Sequence, residues 1–243
     1  MSWLVFDIDG VLIDVSQSFD HTVKDTVTYL LNDQGLEISL KDIRKLRKKG
    51  VFGDDFKLTE TLVAGLSIFD SSEEVLENFL EEGDIQWVRK EWSDGIDKSK
   101  LIKVFNSFYL GQRYEEGIFN FEGYWKKEKS IVRPKMLKKA EKNFEIGVVT
   151  GRNRLELNLA QDIIGYKFDN HITREIFLKP DPRALNELVG MANGVYVGDT
   201  ICDQELVENY NSTYEGDFNF VKIDGEINTV NTFLEKILRK KRI

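Results

Sequence analysis

Apolar positions along the chain fall into two regimes. Short apolar runs near turn or loop residues occur at Trp3–Ile8, Ile146–Thr150, Val195–Val197 and Phe218–Ile223, with a weaker one at Phe168–Ile172. Each has the length of a strand and is short for a packed helix. Between them the spacing turns helical. Leu155, Leu159 and Ile163 recur every four residues. Pro134, Leu137 and Ala140 predict a helix with proline in its first turn, where the missing N–H costs no hydrogen bond. From Asn228 onward, Val230, Phe233, Leu234, Ile237 and Leu238 predict a closing amphipathic helix. Strands alternating with helices predict βαβ units and a parallel sheet.

The stretch from about Val15 to Lys129 differs. It holds almost no strand pattern, and helical spacing dominates at Phe19–Leu31, Leu40–Lys48, Val75–Leu80 and Leu101–Leu110. Ser71-Ser72-Glu73-Glu74 has the form of a capping box. Trp87, Trp92 and Trp125 fall here, with Phe105, Phe108 and Tyr109. A helical stretch with its own aromatic residues, placed after the first strand, predicts a second small domain. The expected organisation is a discontinuous α/β core over residues 1–14 and 130–243, with a helical insert over 15–129.

Length and composition narrow the function. The chain has 243 residues, 41% hydrophobic and 31% charged, as in a soluble globular protein. Its single cysteine, Cys202, excludes a disulfide framework or a CxxC zinc site. A net charge of −8 argues against general nucleic-acid binding, which needs clustered cations against phosphates. No apolar run reaches the ~20 residues of a membrane span. Met1-Ser2-Trp3-Leu4 lacks a basic n-region, so the expectation is a cytoplasmic protein without a secretory signal. The basic run Arg239-Lys240-Lys241-Arg242 reads as a solvated helix end complementing the helix dipole.

Candidate chemistry gathers at strand ends. In Leu4-Val5-Phe6-Asp7-Ile8-Asp9-Gly10 an apolar strand runs into two carboxylates two residues apart, so both could share a face. Such a pair repels unless a cation intervenes. Gly10 permits a sharp turn and a close ligand approach. An EF-hand loop starting at Asp7 would need Gly and Glu where Leu12 and Ser18 stand, which excludes it. Ile146-Gly147-Val148-Val149-Thr150-Gly151-Arg152 ends a strand on a hydroxyl, a glycine and a cation, which reads as an anion site or as ordinary helix capping. Leu178-Lys179-Pro180-Asp181-Pro182 sets a lysine before two prolines. Gly198-Asp199-Thr200-Ile201-Cys202-Asp203 ends a further strand on acids that suit a hard cation.

In chain order these pieces are DxDG, Thr-Gly, Lys and GDxxxD. That order resembles the haloacid dehalogenase-like (HAD) hydrolase superfamily, in its phosphatase and phosphomutase branch. The resemblance implies a Rossmann-like parallel-sheet core with an all-helical cap inserted after the first motif. It also implies a Mg²⁺-dependent phosphatase acting on a small phosphorylated metabolite through an aspartyl-phosphate. By the same resemblance, Asp7 matches the nucleophile and Asp9 the general acid/base. Thr150 and Gly151 match the phosphate-binding pair, and Lys179 the neutralising lysine. Asp7, Asp9 (through its backbone carbonyl), Asp199 and Asp203 match the metal site. Asp9 favours phosphoryl transfer over dehalogenation, because a halide leaves without a proton. Asp14 stays unassigned.

The cap is expected to choose the substrate. Arg44, Lys45, Arg47, Lys48 and Lys49 precede Gly50-Val51-Phe52-Gly53. In the family, the corresponding loop reads the leaving group, which makes Arg47 and Lys49 substrate-binding candidates. A helix C-terminus with solvated cations reads the same residues without function. Two other readings share the motifs: a β-phosphoglucomutase-like phosphomutase, and a non-catalytic binding module. His21 and His171 are too few for a histidine triad, and no GxSxG, GxGxxG or Walker loop occurs. The expected partner is the metabolite alone, with no nucleic acid or membrane, in a monomer or homodimer.

Overall fold

The structure, a computed structural model, describes residues 2–32, 35–92, 96–223 and 229–240. Asn228, Lys241 and Arg242 lie outside the described residues. The chain divides into two compact units, Met1–Val15 with Glu128–Ile243, and Ser16–Lys127. The first unit begins with β1 (Ser2–Phe6) and β2 (Ile13–Asp14). The second holds α1 (Phe19–Leu31), α2 (Leu40–Lys49), α3 (Asp55–Leu66), α4 (Ser72–Asn78), α5 (Ile85–Trp92) and α6 (Lys98–Tyr109). The first unit resumes with β3 (Lys129–Ser130), α7 (Pro134–Ala140), β4 (Phe144–Val149), α8 (Arg154–Ile164) and β5 (Asn170–Ile172). It closes with α9 (Arg183–Val189), β6 (Asn193–Gly198), α10 (Ile201–Tyr214), β7 (Asp217–Lys222) and α11 (Val230–Lys240).

The main sheet has the order β5-β4-β1-β6-β7 and is parallel throughout. β1 lies at its centre, with Phe6 opposite Val148 on one side and Val197 on the other. Strand alternation divides the core. Leu4, Phe6, Ile146, Val148 and Val197 pack into one cluster with α7, α8 and α11 residues such as Leu137, Leu157 and Leu234. Val5, Val149 and Tyr196 pack into another with Leu185, Leu206 and Tyr210. Two-sided burial explains why these strands read as continuous apolar runs rather than alternating ones. A separate antiparallel ribbon joins β2 to β3, with Asp14 opposite Lys129.

The helical unit contains two helices that the hydrophobic spacing did not predict. In α3 every residue from Leu58 to Leu66 is buried. Thr59, Glu60 and Thr61 are buried along with the apolar residues, so no apolar stripe separates from a polar face. In α5 only Ile85, Val88 and Trp92 turn inward. Phe79, Trp87 and Trp92 meet edge to face at centroid separations of 5.2–5.9 Å. Ser71 caps α4 by accepting from the Glu74 N–H, but Glu74 Oε2 accepts from Asp70, one residue short of closing the box. Among the described residues, no helix is long and apolar enough to cross a membrane.

Candidate active site

Parallel sheets bring the carboxyl ends of their strands to one edge, and ligands bind there. Asp7 and Asp9 follow β1, Thr150 and Gly151 follow β4, and Asp199 follows β6. The Asp7 N–H still donates to Val197 O (2.9 Å), so the ladder holds Asp7 one residue past its strand. The chain then turns. The N–H groups of Leu12 and Ile13 both donate to Ile8 O at 2.8 and 2.9 Å, and Gly10 takes φ +75°. This turn ends the strand alternation, and the two acids find different partners.

Asp7 is paired with Lys179. Lys179 Nζ lies 2.8 Å from Asp7 Oδ1 and 2.7 Å from Asp203 Oδ1. All three side chains are largely or fully buried. Burial alone depresses the Lys179 ammonium, but Asp203 and then Asp7 reverse this and hold it well above the usual lysine value. Burial pushes Asp7 well above the usual carboxylate range, against the pull of Lys179, with Asp203, Asp9 and Asp199 adding to the rise. Asp203 is held low, because Lys179 and the Thr200 hydrogen bonds overcome its burial.

Asp203 is saturated. Oδ1 accepts from Lys179 and from the Tyr196 hydroxyl (3.1 Å). Oδ2 accepts from the Asp199 N–H (3.3 Å), the Thr200 N–H (3.1 Å) and the Thr200 hydroxyl (2.7 Å). Thr200 and Asp203 close a capping box at the start of α10, which fixes Asp203 to the strand end. Gly198 is needed for this, since a β-carbon there would stand 2.5 Å from Asp203 Cβ.

Asp9 is paired with Arg152. The guanidinium Nε and Nη2 both donate to Asp9 Oδ1, at 2.9 and 2.6 Å. Nη2 also donates to Glu128 Oε2 (2.9 Å), and Nη1 to Glu156 O (3.3 Å). Arg152 is 1% exposed. The Thr150 hydroxyl accepts from the Arg152 N–H at 3.2 Å. The Gly151 α-carbon faces open space, with nothing within 4 Å of a β-carbon position. Arg174 braces this turn through Gly151 O and Glu156 Oε1, both at 3.0 Å.

A cation fits the acids. Carboxylate oxygens of Asp7, Asp199 and Asp203 all lie within 4.8 Å of one another. Among the described residues no donor reaches the buried Asp199 Oδ1, and such an oxygen is costly unless a cation serves it. Burial, followed by Asp203, pushes Asp199 up to about 6. A cation would relieve this, and the all-oxygen donor set is that of a hard ion. The Asp9 carboxylate is not part of this cluster.

The cap candidates pair within their own unit. Arg47 pairs with Asp55 and, at 3.0 Å, with Asp20. Arg44 Nε reaches Asp20 at 2.6 Å. Lys49 Nζ donates to Leu76 O at 3.2 Å. Arg47 and Lys49 thus each have partners within the helical unit. Three other side chains went unassigned in the sequence. Arg152 was visible beside Thr150-Gly151 but carried no role. Glu128 lies in the charged run Lys126–Lys129, and Tyr196 inside an apolar strand, so no local pattern marked either.

A parallel α/β core with acids, a lysine and a hydroxyl at its carboxyl edge defines a hydrolase-like active site. The family described as haloacid dehalogenase-like hydrolase matches residues 1–203, and the chain belongs to that family. The phosphatase Tt82 from Thermococcus thioreducens is 50% identical, over 98% of this chain and 99% of that one, with a TM-score of 0.87. A protein of Lactobacillus delbrueckii subsp. bulgaricus shares the fold at 16% identity, with a TM-score of 0.61 over 98% and 97% of the chains. A Pseudomonas syringae hydrolase does so at 15%, with a TM-score of 0.51 over 97% and 89%. No curated protein matches the chain.

Proposed function

We propose that this hydrolase is a Mg²⁺-dependent phosphomonoesterase acting on a small phosphorylated metabolite. The observation that carries the reading is Lys179 bridging Asp7 and Asp203 beside the unserved oxygen of Asp199. The likeness to the Tt82 phosphatase supports it. Asp7 and Asp199 would hold the metal, which supplies positive charge against the incoming phosphate. Asp203, with its oxygens already taken by protein donors, orients Lys179.

In this reading the Asp7 carboxylate attacks phosphorus and the phosphorus–oxygen ester bond breaks. Asp9 acts as the acid and gives a proton to the leaving oxygen. Asp9 then takes a proton from water as the water oxygen bonds to phosphorus. The acyl-phosphate bond breaks and the Asp7 carboxylate returns. Lys179 neutralises charge that would otherwise repel the phosphate from Asp7. The Thr150 hydroxyl and the open Gly151 backbone receive the phosphoryl oxygens.

The test is p-nitrophenyl phosphate hydrolysis by wild type, Asp7→Asn and Asp9→Asn, with Mg²⁺ and with chelator. Wild type with Mg²⁺ should release nitrophenol and inorganic phosphate in step. Asp7→Asn and the chelated enzyme should be silent. Asp9→Asn should lose about 10²–10⁴-fold in kcat on this ester, because Asp9 also takes the proton from water in the second step. Wild-type rates in Asp7→Asn would overturn the reading.

A further inference from the structure

We propose that Arg152 is the positioning residue for Asp9, anchored in turn by Glu128. The proposal rests on the phosphatase reading, in which Asp9 moves the proton. Arg152 is one of the largest fully buried side chains among the described residues. Burying a guanidinium is expensive, and a packed apolar residue would fill the space at least as well. What the cation adds is a fixed geometry. Its two donors grip a single oxygen of Asp9, Oδ1. Among the described residues no hydrogen bond reaches Asp9 Oδ2, which leaves that oxygen for proton traffic.

The anchor is asymmetric. The Asp9 side chain is 28% exposed, whereas Glu128 is 0% exposed. Arg152 thus ties a carboxylate facing solvent to one locked in the core. Glu128 directly precedes β3, whose ribbon with β2 holds the chain just past the Asp9 turn. Arg152 is itself braced, since its carbonyl accepts from the Arg174 N–H (3.1 Å) and its Nη1 donates to Glu156 O. A two-point grip from a fixed base is what a group needs to stay within reach of a leaving oxygen. The sequence pattern Thr-Gly-Arg put the cation beside the phosphate loop, and the structure gives it a task.

The test exploits the leaving group. An alkyl phosphate needs a proton on the departing alkoxide, whereas p-nitrophenolate leaves without one. The ratio kcat/KM reports steps through ester cleavage. Arg152→Lys keeps the charge on Glu128 but loses the double grip. Arg152→Met/Glu128→Gln removes both buried charges, so it does not strand one of them. Thermal melts establish that each variant is folded. Both should lose kcat/KM on an alkyl phosphate by about 10²-fold and on p-nitrophenyl phosphate by less than about 3-fold, since general acid catalysis is worth 10²–10⁴. In an Asp9→Asn background, Arg152→Lys should add less than about twofold, because it acts through Asp9.

Equal losses on both esters, or additive losses with Asp9→Asn, would make Arg152 a packing residue and overturn the proposal. Wild type inactive on both esters would remove the phosphatase reading and this proposal with it. Asp9→Asn without a leaving-group effect would remove the general-acid role on which Arg152 depends. Each failure has its own signature.

Discussion

Gly10 and Asp199 come so close that a β-carbon on Gly10 would stand 2.3 Å from Asp199 Oδ2. Gly10 also takes φ +75°, where an L side chain is strained by about 1–2 kcal/mol. Gly10→Ala should therefore displace Asp199, the acid with the unserved oxygen. Activity should fall at least tenfold or so, and the Mg²⁺ concentration for half-maximal rate should rise. An alanine variant with wild-type metal dependence would refute this.

Lys179→Met leaves Asp7 and Asp203 buried together without a cation. Breaking a buried pair this way costs about 3–5 kcal/mol. For a chain of this size about 1 kcal/mol moves Tm by 2–4 °C, so Tm should fall by at least about 6 °C. Lys179→Met/Asp203→Asn should recover much of that loss in a thermal melt while remaining inactive. Failure to recover would mean that the charge imbalance is not the cause.

Stability of the metal-free protein should fall as pH rises from about 4 to about 6. Folded Asp199 keeps its proton up to about 6, against 3.8 ordinarily. The folded state therefore binds more protons across that window, and rising pH penalises it. About two pH units at 1.36 kcal/mol each set the scale near 3 kcal/mol. Asp7, raised by burial, acts in the same direction, while Asp203, held low, acts only below the window. Urea midpoints in chelator should decline across the window, and Asp199→Asn should flatten the decline. Mg²⁺ should stabilise more at about pH 7 than at about pH 5, because it competes with protons. A flat chelated profile would contradict the burial argument.

Arg47 should matter for the cap and little for the substrate. Its partners Asp20 and Asp55 have side chains 8% and 20% exposed, while Arg47 itself is 37% exposed. Arg47→Ala should cost about 1 kcal/mol at this partial exposure and lower Tm by about 2–4 °C. KM should stay within about twofold, since the guanidinium is already committed. A tenfold rise in KM at unchanged Tm would restore Arg47 as a substrate contact.

Strand-end chemistry was readable because it is local. Asp7, Asp9, Thr150, Lys179, Asp199 and Asp203 each follow or flank an apolar run, and the carboxyl edge of a parallel sheet gathers such positions. Who pairs with whom was not readable. Asp7 and Asp9 stand two residues apart, yet Lys179 takes one and Arg152 the other. Those pairings span the whole core and leave no trace in spacing. Glu128 is a core acid inside a run of charges, and Tyr196 is a polar group inside an apolar strand. Burial by distant chain decides both. The α3 helix escaped for the opposite reason, being too completely buried to show a stripe.

The central place of β1 has a consequence for synthesis. Its two sheet neighbours, β4 and β6, both come after the helical unit in the chain. Trp3-Leu4-Val5-Phe6 therefore waits unpaired while more than a hundred residues are added, on the order of 10 s at 5–20 residues per second. The helical unit draws on contacts within one continuous segment and can pack during that interval. An apolar strand held open that long is a target for chaperones and a seed for mispairing. Catalytic competence then waits until Asp199 and Asp203 have emerged to meet an acid made far earlier in the chain.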